Sequence, residues 1–481
     1  MPVINFSYSD LMRLMGVEIS IDTLRQRLPM IGSDLKRAEE SEDELSFEFF
    51  PDRPDLYSVE GIARALKAFL DIAPGLVEYS ADSSDVQIRV DPSVKPVRPY
   101  IWSAMVEGLT FDDPLIRSMM DLQEKLHLTL GRDRKKVAIG IHDIRAVNPP
   151  FTYKAVKPDE VTFQPLQGAR EMTPAEILRE HDKGLAYAFV LEGKDRYPLI
   201  VDRDEQVLSM PPIINGIVTE VTEETRDIFV DCTGTDLNAL KYAVNILTTA
   251  LADRGGLVRT VTIEENGATT TAPDIGPREM ALDVDYVNSW LGTSLNTGEM
   301  AACLARLGHG ASVDGETLRV SVPSYRGDVI HPVDLAEDVA IGYGYESFGR
   351  TFPAAPTFGV EDPLTAFATR VRPIMIGLGY FEVATLSLSN EWEQFGALGM
   401  NEETETLRIL NPVSEMHTLV RTSLLPSLLG ILRKNKHREL PQKIFETGDV
   451  VLGTTNRMKL GGVAIHAKAG FTEVKSLVQS L

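Results

Sequence analysis

The chain has 481 residues, 43% of them apolar and 25% charged, with a formal net charge of −22 at pH 7. That length exceeds one ordinary core and predicts roughly three globular domains, while the acidic balance excludes a general phosphate-backbone binder, so any nucleic-acid contact must come from local basic patches or another subunit. No signal-like start and no stretch of about 18 uncharged apolar residues occurs, and the two cysteines, Cys232 and Cys303, make neither a disulfide framework nor a zinc site, which together predict a soluble cytoplasmic protein with no membrane partner.

Three proline-rich or small-residue stretches divide the sequence, around Pro92 to Pro99, Gly267 to Pro277 and Pro353 to Pro363. Proline lacks an amide donor and biases its predecessor away from helix, so each stretch reads as a linker or exposed crossing. The four domains expected from them span 1–90, 91–266, 275–352 and 360–481. In the first, the helical pattern YSDLMRLMG leads to IDTLRQRLPMIG, with Gly16 and Gly32 placed as helix C-caps. A strand, LSFEFF, then meets Pro51, Arg53 and Asp55 before the helix SVEGIARALKAF. The second segment alternates strand-like runs (VAIGIH, LAYAFVLEG, NGIVTEVT, DIFVDCTG) with helices in DPLIRSMMDLQEKLHLTL and DLNALKYAVNILTTALADRG, an α+β pattern. The third repeats the first: VDYVNSWLG, TGEMAACLARLG, Gly292, Gly308, the strand LRVSVP, then Pro323, Arg326, Asp328 and PVDLAEDVAIGYG. The fourth opens with a helix around Ala366 to Gly377 and continues through YFEVATLSL, TLRILNP, LLPSLLGILRKNKH, KIFETGDVVLG and KLGGVAIHA. No cap or breaker closes its last helix, FTEVKSLVQSL, so this domain is expected to be incomplete.

The sharpest chemistry lies in the third segment. Pro332 suits a first helical turn, which puts Asp334, Glu337 and Asp338 at i, i+3 and i+4 on one face, and Asp328 on the preceding turn can fold back beside them. Carboxylate oxygens suit Mg²⁺ or Ca²⁺, whereas zinc would want more than the one nearby His331. Acids in a first turn are also stabilised without a metal, by about 0.3–1 kcal/mol each. The matching positions of the first copy hold Glu60, Ala63 and Arg64, so the scaffold does not require the acids, and one hard divalent cation is expected.

A second constellation is DCTGTD, Asp231 to Asp236, between a strand and a helix. Thr235 or Asp236 reads as the N-cap, which leaves Asp231 and Thr233 without a capping role. Upstream, Ser209 precedes two prolines, and with Asp231 and Thr233 it forms a candidate pocket. The basic runs Arg132 to Lys136 and Arg433 to Arg438 read as solvated loops before they read as binding sites. No nucleotide-loop, nucleophile-elbow or zinc-protease motif occurs, and the eight histidines form no ligand spacing.

Taken in order, FFPDRPDLYSVEGIARAL, LHLTLGRDRKKVAIGIHD, SMPPIING, VDCTGTDLNAL, VPSYRGDVIHPVDLAEDVAIGYGYE and LVRTSLLPSLL followed by IFETGDVV resemble the beta-subunit family of phenylalanyl-tRNA synthetases, in its archaeal and eukaryotic cytosolic form. The resemblance runs along the whole chain. It implies a duplicated small α+β repeat, a central α+β editing-like domain and a non-catalytic core with the antiparallel sheet of class II synthetases. It further implies two alpha and two beta chains, with ATP and phenylalanine bound and tRNA(Phe) charged on the alpha subunit. Mg²⁺ is implied at Asp328, Asp334, Glu337 and Asp338, and hydrolysis of Tyr-tRNA(Phe) at a pocket including Ser209, Asp231 and Thr233. No arginine is clearly placed to grip ATP; Arg421 is the nearest, and it reads as a fold or subunit-contact residue. Two other readings remain open: a non-editing assembly subunit of the same complex, and a stand-alone metal-dependent phosphohydrolase.

Overall fold

Ser7 accepts a hydrogen bond from the Asp10 amide to start the helix Tyr8–Met15, and Gly16, at φ 73°, ends it. Such local signals organise the first module of the computed structural model, which describes residues 2–39, 43–352, 357–401 and 406–481. Pro353, in the third linker stretch, lies outside them. The chain divides into two units, Met1–Arg350 and Thr351–Leu481.

In the first unit, strands Val3–Ser7, Ser33–Glu39 and Glu44–Phe49 form an antiparallel sheet with the third strand central. Alternation along that strand turns Leu45, Phe47 and Phe49 inward against helices Tyr8–Met15, Ile21–Arg27 and Val59–Phe69. Strands Arg278–Asp283, Gly310–Asp314 and Thr317–Val322 repeat that order, with helices Val284–Leu291, Thr297–Arg306 and Pro332–Tyr343. Gly292, at φ 67°, ends the first of these helices as Gly16 does in the other module.

Between them runs a ten-stranded mixed sheet. In spatial order its path is Ile214–Asn215, Val207–Met210, Tyr197–Val201, Phe151–Val156, Asp82–Val90, Leu257–Glu265, Tyr100–Glu107, Ile228–Gly234 and Val137–Asp143. Ala268–Ala272 pairs with Leu257–Glu265 off this path. Helix Leu237–Asp253 covers one face, capped by Asp236, and its residues from Ala243 to Leu251 are buried without a break. Strand Asp82–Val90, which the linker stretches assign to the first segment, pairs in parallel with Leu257–Glu265 and so belongs to this sheet. Two strand expectations fail here. LAYAFVLEG forms helix Asp182–Tyr187 and a 3₁₀ turn, Ala188–Val190, because the His181 side chain caps the Lys183 amide. NGIVTEVT contributes one strand residue, Asn215, before the 3₁₀ turn Ile217–Thr219.

Part-buried ion pairs fix the first module to this domain. Arg254, just past the long helix, bonds Asp10 at 2.6 and 2.8 Å and Glu60 at 2.6 Å, while Arg64 bonds Asp253 at 2.8 Å.

In the second unit, strands Gln442–Leu452 and Thr455–Ile465 make an antiparallel hairpin, and Phe381–Glu382 adds in parallel, so this sheet is mixed rather than wholly antiparallel. Of TLRILNP only an isolated bridge forms, Arg408 to Leu419. Helices Pro363–Gly377, Leu425–Lys434 and Phe471–Ser480 accompany the sheet. Arg421 is buried against Glu446 at 2.8 Å and also donates to Thr385 and to the Asp449 carbonyl. Among the described residues no helix is long and apolar enough to cross a membrane.

Candidate active site and carboxylate cluster

Strand Val137–Asp143 is buried at every residue, and its antiparallel register sets Gly140 opposite Asp231. A methyl group at 140 would stand 2.2 Å from Asp231 Oδ2 and 2.7 Å from His142 Nε2, so glycine is the residue that lets this carboxylate and imidazole meet. They do so at 2.7 Å. Ser209, from strand Val207–Met210, donates to the same Oδ2 at 3.3 Å. Behind them the other imidazole nitrogen, Nδ1, lies 2.8 Å from Thr219 Oγ1. Ser209, Asp231, His142 and Thr219 are all buried.

Ser209, Asp231 and Thr219 open onto a cavity of about 470 Å³ whose apolar wall includes Met119, Ile139, Ile141, Pro211 and Ile213. His142 is not in its lining. Across the cavity, His127 Nε2 accepts the Ile139 amide at 2.8 Å, which leaves Nδ1–H to donate to Glu124 at 3.2 Å. Arg134 pairs with both Glu124 oxygens at 3.1 Å and lies 4.0 Å over the Tyr187 ring. The His127 hydrogen bond and the Arg134 charge hold the Glu124 carboxyl down to about 2, against burial, while burial lowers the His127 imidazole. Arg132, Asp133 and Arg134 carry φ of 48°, 54° and 65°. Left-handed backbone costs a side-chain-bearing residue about 1–2 kcal/mol, which the Arg134 contacts help offset.

Of the expected pocket residues, Ser209 and Asp231 come together and Thr233 does not join them. The Thr233 hydroxyl accepts from the buried Arg98 at 2.9 Å, and its carbonyl accepts from Arg98 at 2.5 Å. The sequence reading missed Gly140, His142 and Thr219; the one signal was the apolar run that holds Gly140 and leads to His142 in VAIGIHD. The basic run is partly committed internally, with Lys136 paired to Asp236 at 3.0 Å and Lys135 lying 5.0 Å from the Phe189 ring centre.

Of the four carboxylates expected around one cation, three are engaged by protein groups, two of them by the same arginine. Arg326 donates to both Asp328 oxygens at 2.7–3.0 Å and to Asp338 Oδ2 at 2.7 Å, and His309 Nε2 meets the same Oδ2 at 2.6 Å. Asp334 Oδ2 accepts the Ile330 and His331 amides, each at 2.7 Å, as the helix cap. Arg326 thus supplies the positive charge for Asp328 and Asp338, and among the described residues no three His, Cys, Asp or Glu side chains converge on a metal position. Glu337 is only partly screened from solvent, and the hydration it loses together with the charges of Asp338, Asp52 and Asp334 raises its carboxyl. The arrangement leaves Glu337 as the carboxylate with neither an ion pair nor a capping bond among the described residues. Its uncompensated charge around Glu337 fits a hydrated Mg²⁺ held through one or two carboxylates.

Three families match in sequence: the B3/4 domain over residues 104–251, the tRNA synthetase B5 domain over 280–345, and the phenylalanyl tRNA synthetase beta chain CLM domain over 349–481. The cavity thus falls in the first match and the carboxylate cluster in the second, and together they define a component of an aminoacyl-tRNA synthetase. The chain is 46% identical over 482 residues to the phenylalanine–tRNA ligase beta subunit of Methanothrix thermoacetophila, covering 100% of this chain and 88% of that one. It is likewise 46% identical over 483 residues to that of Archaeoglobus fulgidus, covering 100% and 87%. An N-terminal fragment of the Pyrococcus horikoshii phenylalanyl-tRNA synthetase beta subunit superposes with a TM-score of 0.69 at 39% identity, over 72% of this chain and 100% of the fragment. The chain belongs to the phenylalanine–tRNA ligase beta-subunit family, and an alpha subunit is its implied partner.

Proposed function

We propose that this beta subunit hydrolyses tyrosine from mischarged tRNA(Phe) in the 470 Å³ cavity, while an alpha subunit binds ATP and phenylalanine and charges the tRNA in a cytoplasmic complex of two alpha and two beta chains. The observation that carries the reading is the buried Ser209–Asp231 pair in a largely apolar cavity. An apolar phenylalanine pocket rejects a substrate with one added hydroxyl only weakly, by roughly 100-fold, whereas a site built to bond a hydroxyl rejects the analogue lacking it far more strongly. The Asp231 carboxylate is the acceptor suited to a phenol. Water forms the new bond to the ester carbonyl, the bond to the ribose oxygen breaks, and that oxygen takes the proton. No side chain is assigned as base; the vicinal ribose hydroxyl of the substrate fills that role. Arg421, tied to Glu446, favours a scaffolding role for the second unit and aminoacylation elsewhere.

The test is tyrosine release from Tyr-tRNA(Phe) by the alpha–beta complex. Asp231→Asn and Ser209→Ala should each abolish most of it. No release by the wild type would leave the non-editing assembly subunit as the better reading. Hydrated Mg²⁺ at the Glu337 rim is proposed to stabilise the module and its assembly. Chelation should weaken assembly before it slows the chemical step, and the reverse order would refute that role.

A further inference from the structure

We infer that His142 is the positioning residue that makes the pocket selective for a hydroxyl-bearing side chain; this rests on the hydrolytic reading above. His142 is fully buried and stands behind the cavity wall, so it touches no guest. Both its ring nitrogens are engaged, Nε2 with Asp231 at 2.7 Å and Nδ1 with Thr219 at 2.8 Å. The Thr219 hydroxyl is farther from its alternative acceptors, the carbonyls of Leu208 at 3.4 Å and Gly216 at 3.3 Å. Its proton therefore goes to Nδ1, and the imidazole keeps its own on Nε2, where it donates to Asp231.

That donation decides what Asp231 offers a guest. The His142 N–H and the Ser209 hydroxyl both fall on Oδ2 and fill its two lone pairs. The acceptor that remains for a phenol is Oδ1. Without the imidazole, a carboxylate 2% exposed would keep only one long hydroxyl contact. The carboxylate would then be free to rotate, and its remaining acceptor oxygen would no longer be fixed for a donor. Thr219 fixes the tautomer, His142 holds the carboxylate, and Asp231 reads the substrate.

A merely structural histidine would support hydrolysis of every aminoacyl ester alike, so the readout is a ratio. Tyr-tRNA(Phe) and Phe-tRNA(Phe) hydrolysis is measured with the alpha–beta complex of wild type, His142→Leu, His142→Gln and Thr219→Val. His142→Leu should lower the tyrosine-over-phenylalanine ratio by roughly tenfold or more, mainly through KM, as expected for loss of a hydrogen bond to a charged group. His142→Gln, whose amide N–H can reach for Asp231, should recover much of the ratio. Thr219→Val leaves the imidazole in place but frees its tautomer, and should lower the ratio severalfold even where His142→Leu fails to fold. Equal losses on both esters would overturn the inference, because Asp231 would then grip a group common to both. So would a wild-type ratio in His142→Leu or Thr219→Val. A wild type that releases no tyrosine at all would overturn the hydrolytic reading, and this inference with it.

Discussion

Gly140→Ala isolates the contact on which the pocket depends. Gly140 does not have left-handed backbone, so alanine meets no conformational penalty there. In a strand interior alanine should even gain about 0.5–1 kcal/mol from reduced unfolded-state entropy. Against that, the new methyl would stand 2.2 Å from Asp231 Oδ2, more than about 1 Å inside the optimal separation. Asp231 must swing away and give up the 2.7 Å bond from His142. A hydrogen bond to a charged group contributes about 1.5–3 kcal/mol, which leaves a net loss of about 1–2 kcal/mol. Urea unfolding followed by tryptophan fluorescence reads this locally. Trp102 is buried on the strand beside Cys232, whereas Trp290 and Trp392 are more than half exposed. Tyrosine release should fall in parallel. A Gly140→Ala chain as stable as wild type or more so, with undiminished release of tyrosine, would refute the steric argument.

Arg326→Met leaves Asp328 and Asp338 without their shared cation and should cost about 3–5 kcal/mol in thermal unfolding, partly restored by added Mg²⁺; a neutral result would show that the guanidinium does not hold the cluster. The folded imidazole of His127 is lowered by burial, with Arg134 and Arg98 acting in the same direction and Glu124 opposing. The unfolded chain therefore takes up that proton first. Stability from His127 is full above about pH 6.5 and falls as pH drops towards the folded value, so the slope between pH 6.5 and 5 should flatten in His127→Gln and is contradicted if it does not. Cys232 and Cys303 are buried and burial raises both thiols, so a thiol-specific reagent should label neither rapidly until urea unfolds the chain. Arg421→Ala should destabilise the second unit by about 3–5 kcal/mol, since Glu446 would remain buried and unpaired; an unchanged unfolding midpoint would argue against it.

Local signals were legible wherever one residue type performs one local task. Gly16 and Gly292 cap helices as their spacing implied, and Asp236 caps the long central helix. The pocket was half legible. Ser209 stood out before two prolines and Asp231 as an acid without a capping role, and they meet across 22 positions. His142 was not, because its partners Thr219 and Asp231 lie 77 and 89 residues away and no spacing rule reaches that far. The tie of Thr233 to Arg98 was illegible for the same reason, since that partner is 135 residues distant. The carboxylate cluster was legible in another way. Helical periodicity correctly put acids in one turn, but Arg326, visible two residues before Asp328, counted as a marker of the repeat rather than as the cluster's cation.

The first module's joint also bears on how twin modules drift apart. Glu60 and Arg64 occupy the helix positions that match Asp334 and Asp338 in the other module, and there they bond Arg254 and Asp253 of the central domain. One twin has turned this face into a hinge pin, while its sibling keeps a crowd of acids at the same address. Transplanting the acidic turn into the first module would therefore unseat it. Whoever shuffles such modules among relatives must move residues 253 and 254 along with the helix they anchor.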